Sequence, residues 1–236
     1  INSDGTVDTV EDIHVDFGSQ QHHGIFRDIP VEYAYDDDNN RLIRLTNIRV
    51  DDGTSLHQIE VSEDGPNIHI RIGDPDVLVT GPQRYRIQYT INRGLNPFSD
   101  RDEFYWNVTG NEWPVRIESA SALVTAPGAG IQRVACFQGS AGSTLACGSS
   151  IFDSSSARAA NGSLGEAQGM TVVVGLDKGV VVVVEPTELV DANESLAEAI
   201  DSFVGLALLP IAASILLGAA LIAAVLDEAG CAVKIE

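Results

Sequence analysis

From Phe203 to Leu226 the chain runs for 24 residues, FVGLALLPIAASILLGAALIAAVL, without one charged side chain. At about 1.5 Å of rise per residue, a helix of that length exceeds the roughly 30 Å hydrocarbon core of a bilayer. The run therefore predicts a transmembrane helix and sets the rest of the chain apart as a domain beside the membrane. A buried helix of a soluble protein is the alternative, but such helices seldom exceed about 20 residues without a charge, because one edge meets water. Asp201 and Ser202 precede the run, and Asp227 and Glu228 follow it. Pro210 predicts a slight kink, which membrane helices tolerate when a neighbour or water compensates. Ser214 and Gly218 form a small-xxx-small pair that lets a second helix approach closely.

Ahead of that run the pattern changes to a period of two. Val7, Thr9, Glu11, Ile13, Val15 and Phe17 alternate with Asp8, Val10, Asp12, His14 and Asp16, the mark of a strand with one wet face. Ile68, Ile70 and Ile72, then Tyr85, Ile87, Tyr89 and Ile91, then Phe104, Trp106 and Val108 repeat it. Segments 43–50 and 56–61, separated by Asp51-Asp52-Gly53, read as a hairpin. Ser149 to Gly165 reads as a surface loop rich in small polar residues. Met170–Val174 and Val180–Val184, joined by GLDKG, read as a buried closing hairpin of continuous β-branched residues. Eight or nine antiparallel strands with almost no helix predict a mainly β fold, an antiparallel β-sandwich (Ig-like or related) followed by one C-terminal transmembrane helix. A closed barrel is the alternative. The expected order is an extracytoplasmic sandwich over 1–186, a juxtamembrane linker or short helix over 187–202, the span 203–226, and a short cytoplasmic tail over 227–236. The opening INSDGTVDTV reads as strand and turn rather than as a secretory signal, so a start after processing or within a domain is expected.

Asp and Glu total 34 against 14 Lys and Arg, a net charge of −20, which repels nucleic acid and anionic bilayer surfaces alike. The anticipated partners are the lipid bilayer, through Phe203 to Leu226, and other envelope or membrane proteins. Cys136 and Cys147 are separated by ten residues, with the flanks VACFQG and STLACG, the arms of a hairpin around GSAG turn material. A disulfide is expected there, with Cys231 reduced beyond the membrane run. Orientation draws little from positive charge: no Lys or Arg lies between Glu185 and Ser202, and only Lys234 follows the run. The expected placement, in the plasma membrane with the N-terminal domain outside and the C-terminus cytoplasmic, rests on that lysine and the cysteine pair.

No nucleophile elbow, phosphate loop or metal-ligand spacing occurs, so neither catalysis nor a cofactor has a clear candidate. Asp36-Asp37-Asp38-Asn39-Asn40 fits a calcium loop poorly, since Arg41 stands where glycine is needed and Asn47 where a bidentate glutamate is needed. Three triplets, beginning at Asn107, Asn161 and Asn193, match the N-glycosylation pattern. Two clusters could bind a ligand. In His23-Gly24-Ile25-Phe26-Arg27-Asp28-Ile29-Pro30, Arg27 and Asp28 either orient a ligand or, as the reading preferred here, hold a strand end together. In DEFYWNVTGNEW, Glu103 and Glu112 beside Trp113 pose the carboxylate pair of a sugar-processing site, although Phe104 and Trp106 share one face and Glu103 and Tyr105 the other.

The phrases HGIFRDIP, IRIGDPDVLVTGPQRYRIQYTI (Ile70 to Ile91), DEFYWNVTGNEWPVRI (Asp102 to Ile117) and MTVVVGLDKGVVVV together resemble the predicted membrane proteins of domain-of-unknown-function family 2207. The resemblance covers roughly residues 4 to 226. It implies an extracytoplasmic β-rich domain followed by a membrane helix, and it implies no activity. Members usually continue past that helix, whereas this sequence stops at Glu236.

Overall fold

Alternation along Val7–Asp16 becomes β1, which buries Val7, Glu11, Ile13 and Val15 and turns Asp8, Val10, His14 and Asp16 outward. The computed structural model describes residues 1–34, 37, 39–184, 189–191 and 232–235. No helix occurs among them, and the predicted span 203–226, with Ser214 and Gly218, lies outside the described residues. Strands follow as β2 (Ile25–Pro30), β3 (Glu32–Ala34), β4 (Asn39–Leu42), β5 (Arg44–Asp51), β6 (Ile59–Asp64), β7 (Asn67–Ile72), β8 (Pro82–Asn92) and β9 (Leu95–Pro97). The remainder are β10 (Asp102–Asn107), β11 (Ile117–Thr125), β12 (Ile131–Gly139), β13 (Leu145–Ala146), β14 (Ser149–Phe152), β15 (Ser156–Asn161), β16 (Gly169–Leu176), β17 (Leu189–Asp191) and β18 (Ala232–Ile235).

The described residues are mainly β, and among them the pairings between strands are antiparallel except that of β11 with β18. One sheet runs β14-β15-β11-β18-β1-β8-β5, a second runs β13-β12-β16-β10-β9, and two three-stranded sheets run β17-β4-β3 and β2-β7-β6. The two large sheets bury side chains against each other: Tyr89 of β8 lies 6.3 Å, ring to ring, from Trp106 of β10. Ile13, Ile87, Ile91, Val172 and Val174 fill the same interior. The small β2-β7-β6 sheet adds Ile25, Ile29, Ile70 and Ile72 to that core.

Four readings of the sequence need correction. Segments 43–50 and 56–61 do not form a hairpin, because β5 pairs with β8 and meets the second segment only through an Asp51–Leu56 bridge. The tight hairpin is instead β6–β7, turned at Gly65 and Pro66. Val180–Val184 forms no strand, since β16 already has β12 on one edge and β10 on the other. The Val182 N–H donates to Ser3 O at 2.9 Å, and Val182 and Val184 are exposed. The expected loop 149–165 contains β14 and β15, and the buried side chains of β15 are the small Ala157 and Ala159. The count of eight or nine strands was low, because strands of two to four residues carry too little alternation to be seen.

Cys136 and Cys147 are joined, with Cα atoms 5.4 Å apart. The hairpin carrying them pairs Phe137 with Ala146 and Gln138 with Leu145, so the bridge closes a ladder that the backbone already forms.

Candidate functional site

The segment HGIFRDIP forms β2, and its alternation sorts its residues into two roles. Ile25, Arg27 and Ile29 face inward, while Phe26 and Asp28 face out. Gly24 precedes the strand, at the point where its backbone meets that of Gly73. A Cβ on Gly24 would come 1.8 Å from Ile72 O, and one on Gly73 would come 1.8 Å from His23 O, both at positive φ.

Arg27 is 1 % exposed, a charge that must be paired where it sits. Its partner is Glu11 of β1, which occupies the buried phase of that strand. Nε donates to Glu11 Oε2 at 2.7 Å and an Nη donates to Oε1 at 2.9 Å. Further guanidinium N–H groups donate to Asp28 O and, at 3.2 Å, to Val108 O. Tyr89 Oη completes the cluster by donating to Glu11 Oε1 at 2.6 Å. Burial pulls the Arg27 pKa down, but the Glu11 carboxylate outweighs it and the net shift is upward. Burial, followed by the Glu11 charge, raises the Tyr89 pKa well above its ordinary value. Gly110, at positive φ, leaves room for the cluster, since a Cβ there would stand 2.7 Å from an Arg27 Nη.

Asp28 and His69 are direct ladder partners of β2 and β7, so their side chains share the outer face. His69 Nδ1 lies 2.6 Å from Asp28 Oδ1, and the imidazole stacks on Phe26 at 5.1 Å. This pair lines a cavity of about 370 Å³ that also takes in Phe17, His22, Glu112 and Trp113. His22 stacks on Phe17 at 4.4 Å. Trp113 is buried, and its indole N–H donates to Thr109 O at 2.8 Å, so it forms part of the wall. The Thr109 hydroxyl is engaged as well, donating to Gly110 O and accepting from the Met170 N–H. Glu112 is exposed at the rim.

Of the residues singled out from sequence, Arg27, Asp28, Glu112 and Trp113 line this one cavity, and Glu103 does not. Glu103 sits in β10 opposite Gly175 and Asn96, and its carboxylate accepts from Arg101 Nε at 3.3 Å. Glu103 and Glu112, the carboxylates a sugar-processing site would pair, thus do not both line this cavity. Among the described residues no cluster of His, Cys, Asp or Glu could hold a metal ion. Sequence reasoning missed Glu11, Tyr89 and His69. A legible signal existed for the first, since a glutamate in the buried phase of β1 requires a buried cation. His69 became visible only with the β2–β7 register.

A different kind of surface lies at the other end of the two large sheets. β13 and β14, the edge strands of the five- and seven-stranded sheets, are exposed along their whole length. They follow one another in the chain around Cys147 and present Leu145, Ile151 and Phe152 to solvent.

The family described as predicted membrane protein (DUF2207), N-terminal domain, matches residues 1–176. A similar protein, the uncharacterized protein YciQ of Escherichia coli strain K12, is 30 % identical over 130 residues. That match covers 50 % of this chain and 19 % of the relative, so the matched half of the chain spans about a fifth of the relative's length. No solved structure matches.

Proposed function

This chain belongs to the DUF2207 family of predicted membrane proteins, and from that premise we propose a tethered envelope protein whose β-sandwich ectodomain binds other proteins rather than transforming a substrate. The observation that carries the reading is the pair of bare apolar edges, β13 and β14. Edge strands are normally blunted by Lys, Pro, bulges or a covering element, because they invite pairing with another chain. Here Ser149–Phe152 has no such guard, and Ile151 is 65 % exposed. An extended segment of a partner protein adds to β14, with backbone bonds supplying affinity and Ile151 and Phe152 supplying contact. The test is a photo-crosslinking residue at Ile151 in the membrane-embedded full chain, with one at exposed Leu56 as control. A product from position 151 alone, abolished by Phe152→Lys with unchanged thermal unfolding, is expected. Equal products from both positions would overturn the reading.

A second reading, a ligand-binding role for the cavity, draws on the Asp28–His69 pair beside the Trp113 wall. The separation of Glu103 from Glu112 weighs against glycoside processing there.

The tether is Phe203 to Leu226, with the sandwich outside and the C-terminus cytoplasmic. One consequence bears on β18. Five residues separate Leu226 from Ala232, a reach of at most about 20 Å against a hydrocarbon core of roughly 30 Å. A chain that crosses once at 203–226 therefore cannot also seat Ala232–Ile235 in the ectodomain sheet.

A further inference from the structure

The five-stranded sheet has an outer face besides the one that meets the core. Along β10, Phe104 and Trp106 are buried, whereas Tyr105, 40 % exposed, turns the other way with Asn107. Register sets Asn107, Thr171 and Phe137 in one row across β10, β16 and β12, and sets Tyr105 in the next row opposite Val173. Together with the β12–β13 turn at 139–144, these side chains line a pocket of about 420 Å³. Its walls are held by bonds of their own. Asn107 Nδ2 donates to Asn111 Oδ1 at 3.1 Å, and Asn111 Nδ2 donates to Gly139 O at 3.2 Å. Ser143 Oγ donates to Gln138 O at 2.8 Å, and the Cys136–Cys147 bridge closes the same hairpin. The hydroxyls of Tyr105, Thr144 and Thr171, by contrast, have no protein hydrogen-bond partner among the described residues.

The lining selects a ligand by what it lacks as well as by what it offers. No Asp, Glu, Lys, Arg or His lines the pocket among the described residues, in a chain whose net charge is −20. An ionic ligand therefore meets no counter-charge there. An extended peptide meets no free edge in the floor, because β16 pairs with β10 on one side and β12 on the other. The remaining chemistry is that of an uncharged molecule dense in hydroxyls and apolar on its C–H faces. Hydroxyl side chains both donate and accept, as sugar hydroxyls do. Tyr105 and Phe137, on the strands either side of Thr171, present aromatic surface to C–H groups. The volume falls within the range of roughly 300–1,000 Å³ usual for small-molecule sites. We infer that this pocket binds a short neutral saccharide, with Thr171 in its floor and Tyr105 and Phe137 as its flanking rings. The pocket shares no lining residue with the Asp28–His69 cavity, and the inference rests neither on the tether nor on the β14 edge.

The probes are cellotriose and tri-N-acetylchitotriose, with trigalacturonic acid as an anion of similar size. Each is titrated by calorimetry into the full chain in lipid nanodiscs, without reductant. At least one neutral trisaccharide is expected to bind saturably, and the acid is expected not to bind. Tyr105→Ala and Thr171→Val should each weaken that binding about tenfold, the effect of losing one ring contact or one hydrogen bond, with unchanged thermal unfolding. Tyr105 lies outside the core, so its variant keeps the test open if Thr171→Val fails to fold. His69→Ala, in the other cavity, should leave the affinity as it was. Absence of saturable binding by both neutral probes, equal affinity for the acid, affinity that survives both pocket variants, or loss of binding in His69→Ala would overturn the inference. Crosslinking from Ile151 reports the β14 reading separately, so failure of one is distinguishable from failure of the other.

Discussion

β1 and β8 pair over ten residues and carry Ile13, Tyr85, Ile87 and Ile91 into the core, whereas β13 to β15 are short and expose most of what they hold. The first region is held by burial and by the Glu11–Arg27–Tyr89 cluster inside it. The second buries only alanines in β15 and is tied down by the Cys136–Cys147 bridge. The contrast shows two ways to fix a ladder. Where strands are long enough to bury one whole face, apolar contact supplies stability and can even accommodate a paired charge. Where they are not, a covalent link reduces the freedom of the unfolded chain instead. The bare edges that could recruit a partner lie in the second region, where a sheet buries less and leaves more backbone available.

The sharpest way to break the comparison is at Arg27. Arg27→Ala leaves Glu11 buried without its cation, and a loss of about 3–5 kcal/mol is expected from denaturant melts of the full chain. The double change Glu11→Leu with Arg27→Met should cost far less, because it removes both charges together. If Arg27→Ala melts at the parent midpoint, the cluster does not hold β2 on β1, and ligand capture by Arg27 becomes the better account.

A smaller effect is expected at the other end. Cys136→Ser should cost about 3 kcal/mol, the loop-closure value for a bridge of this span. The loss should appear first as faster hydrogen exchange in β12 to β15, with β1 and β8 still protected. Uniform acceleration across both regions would show that they unfold as one unit and that the contrast is one of appearance only.

The smallest effect concerns acid. Asp153, in the β14–β15 turn, accepts from the backbone N–H groups of Ser155 and Ser156 and from both hydroxyls, which hold its pKa at about 2. Asp52, after β5, is held at about 2 by Thr54 and Ser55. Each pKa is depressed on folding, so the stabilisation is complete above the ordinary value of 3.8 and lost as pH falls toward 2. Asp153→Ala should therefore flatten the fall of the melting temperature between about pH 4 and pH 2. An unaltered slope in that window would dissociate the turn from acid stability.

Much of the long-strand region was legible beforehand. Alternation in Val7–Asp16 and Tyr85–Ile91 reports which face is wet, because a half-buried strand leaves a period of two in its side chains. The disulfide was legible for a related reason, since its two cysteines flank turn residues at hairpin spacing. The Ser149–Gly165 stretch misled because its buried residues are alanines, which carry little hydrophobic contrast against serine and glycine. The candidate site was half visible: HGIFRDIP stood out, but neither its buried nor its exposed partner lies near it in sequence.

By itself, then, the sequence determined the β character of the domain ahead of the apolar run, the faces of its long strands and the Cys136–Cys147 pair. These are local properties, written in periods and spacings of a few residues. Tertiary structure alone decided that Glu11 meets Arg27, that Asp28 meets His69 across 41 residues of chain, that Glu112 but not Glu103 lines the cavity beside them, and that β16 lies between β12 and β10 while Val180–Val184 forms no strand. Pairing between distant strands depends on register, and a shift of one residue turns every side chain to the other face. That choice is made by the whole core at once, which is why no single segment records it.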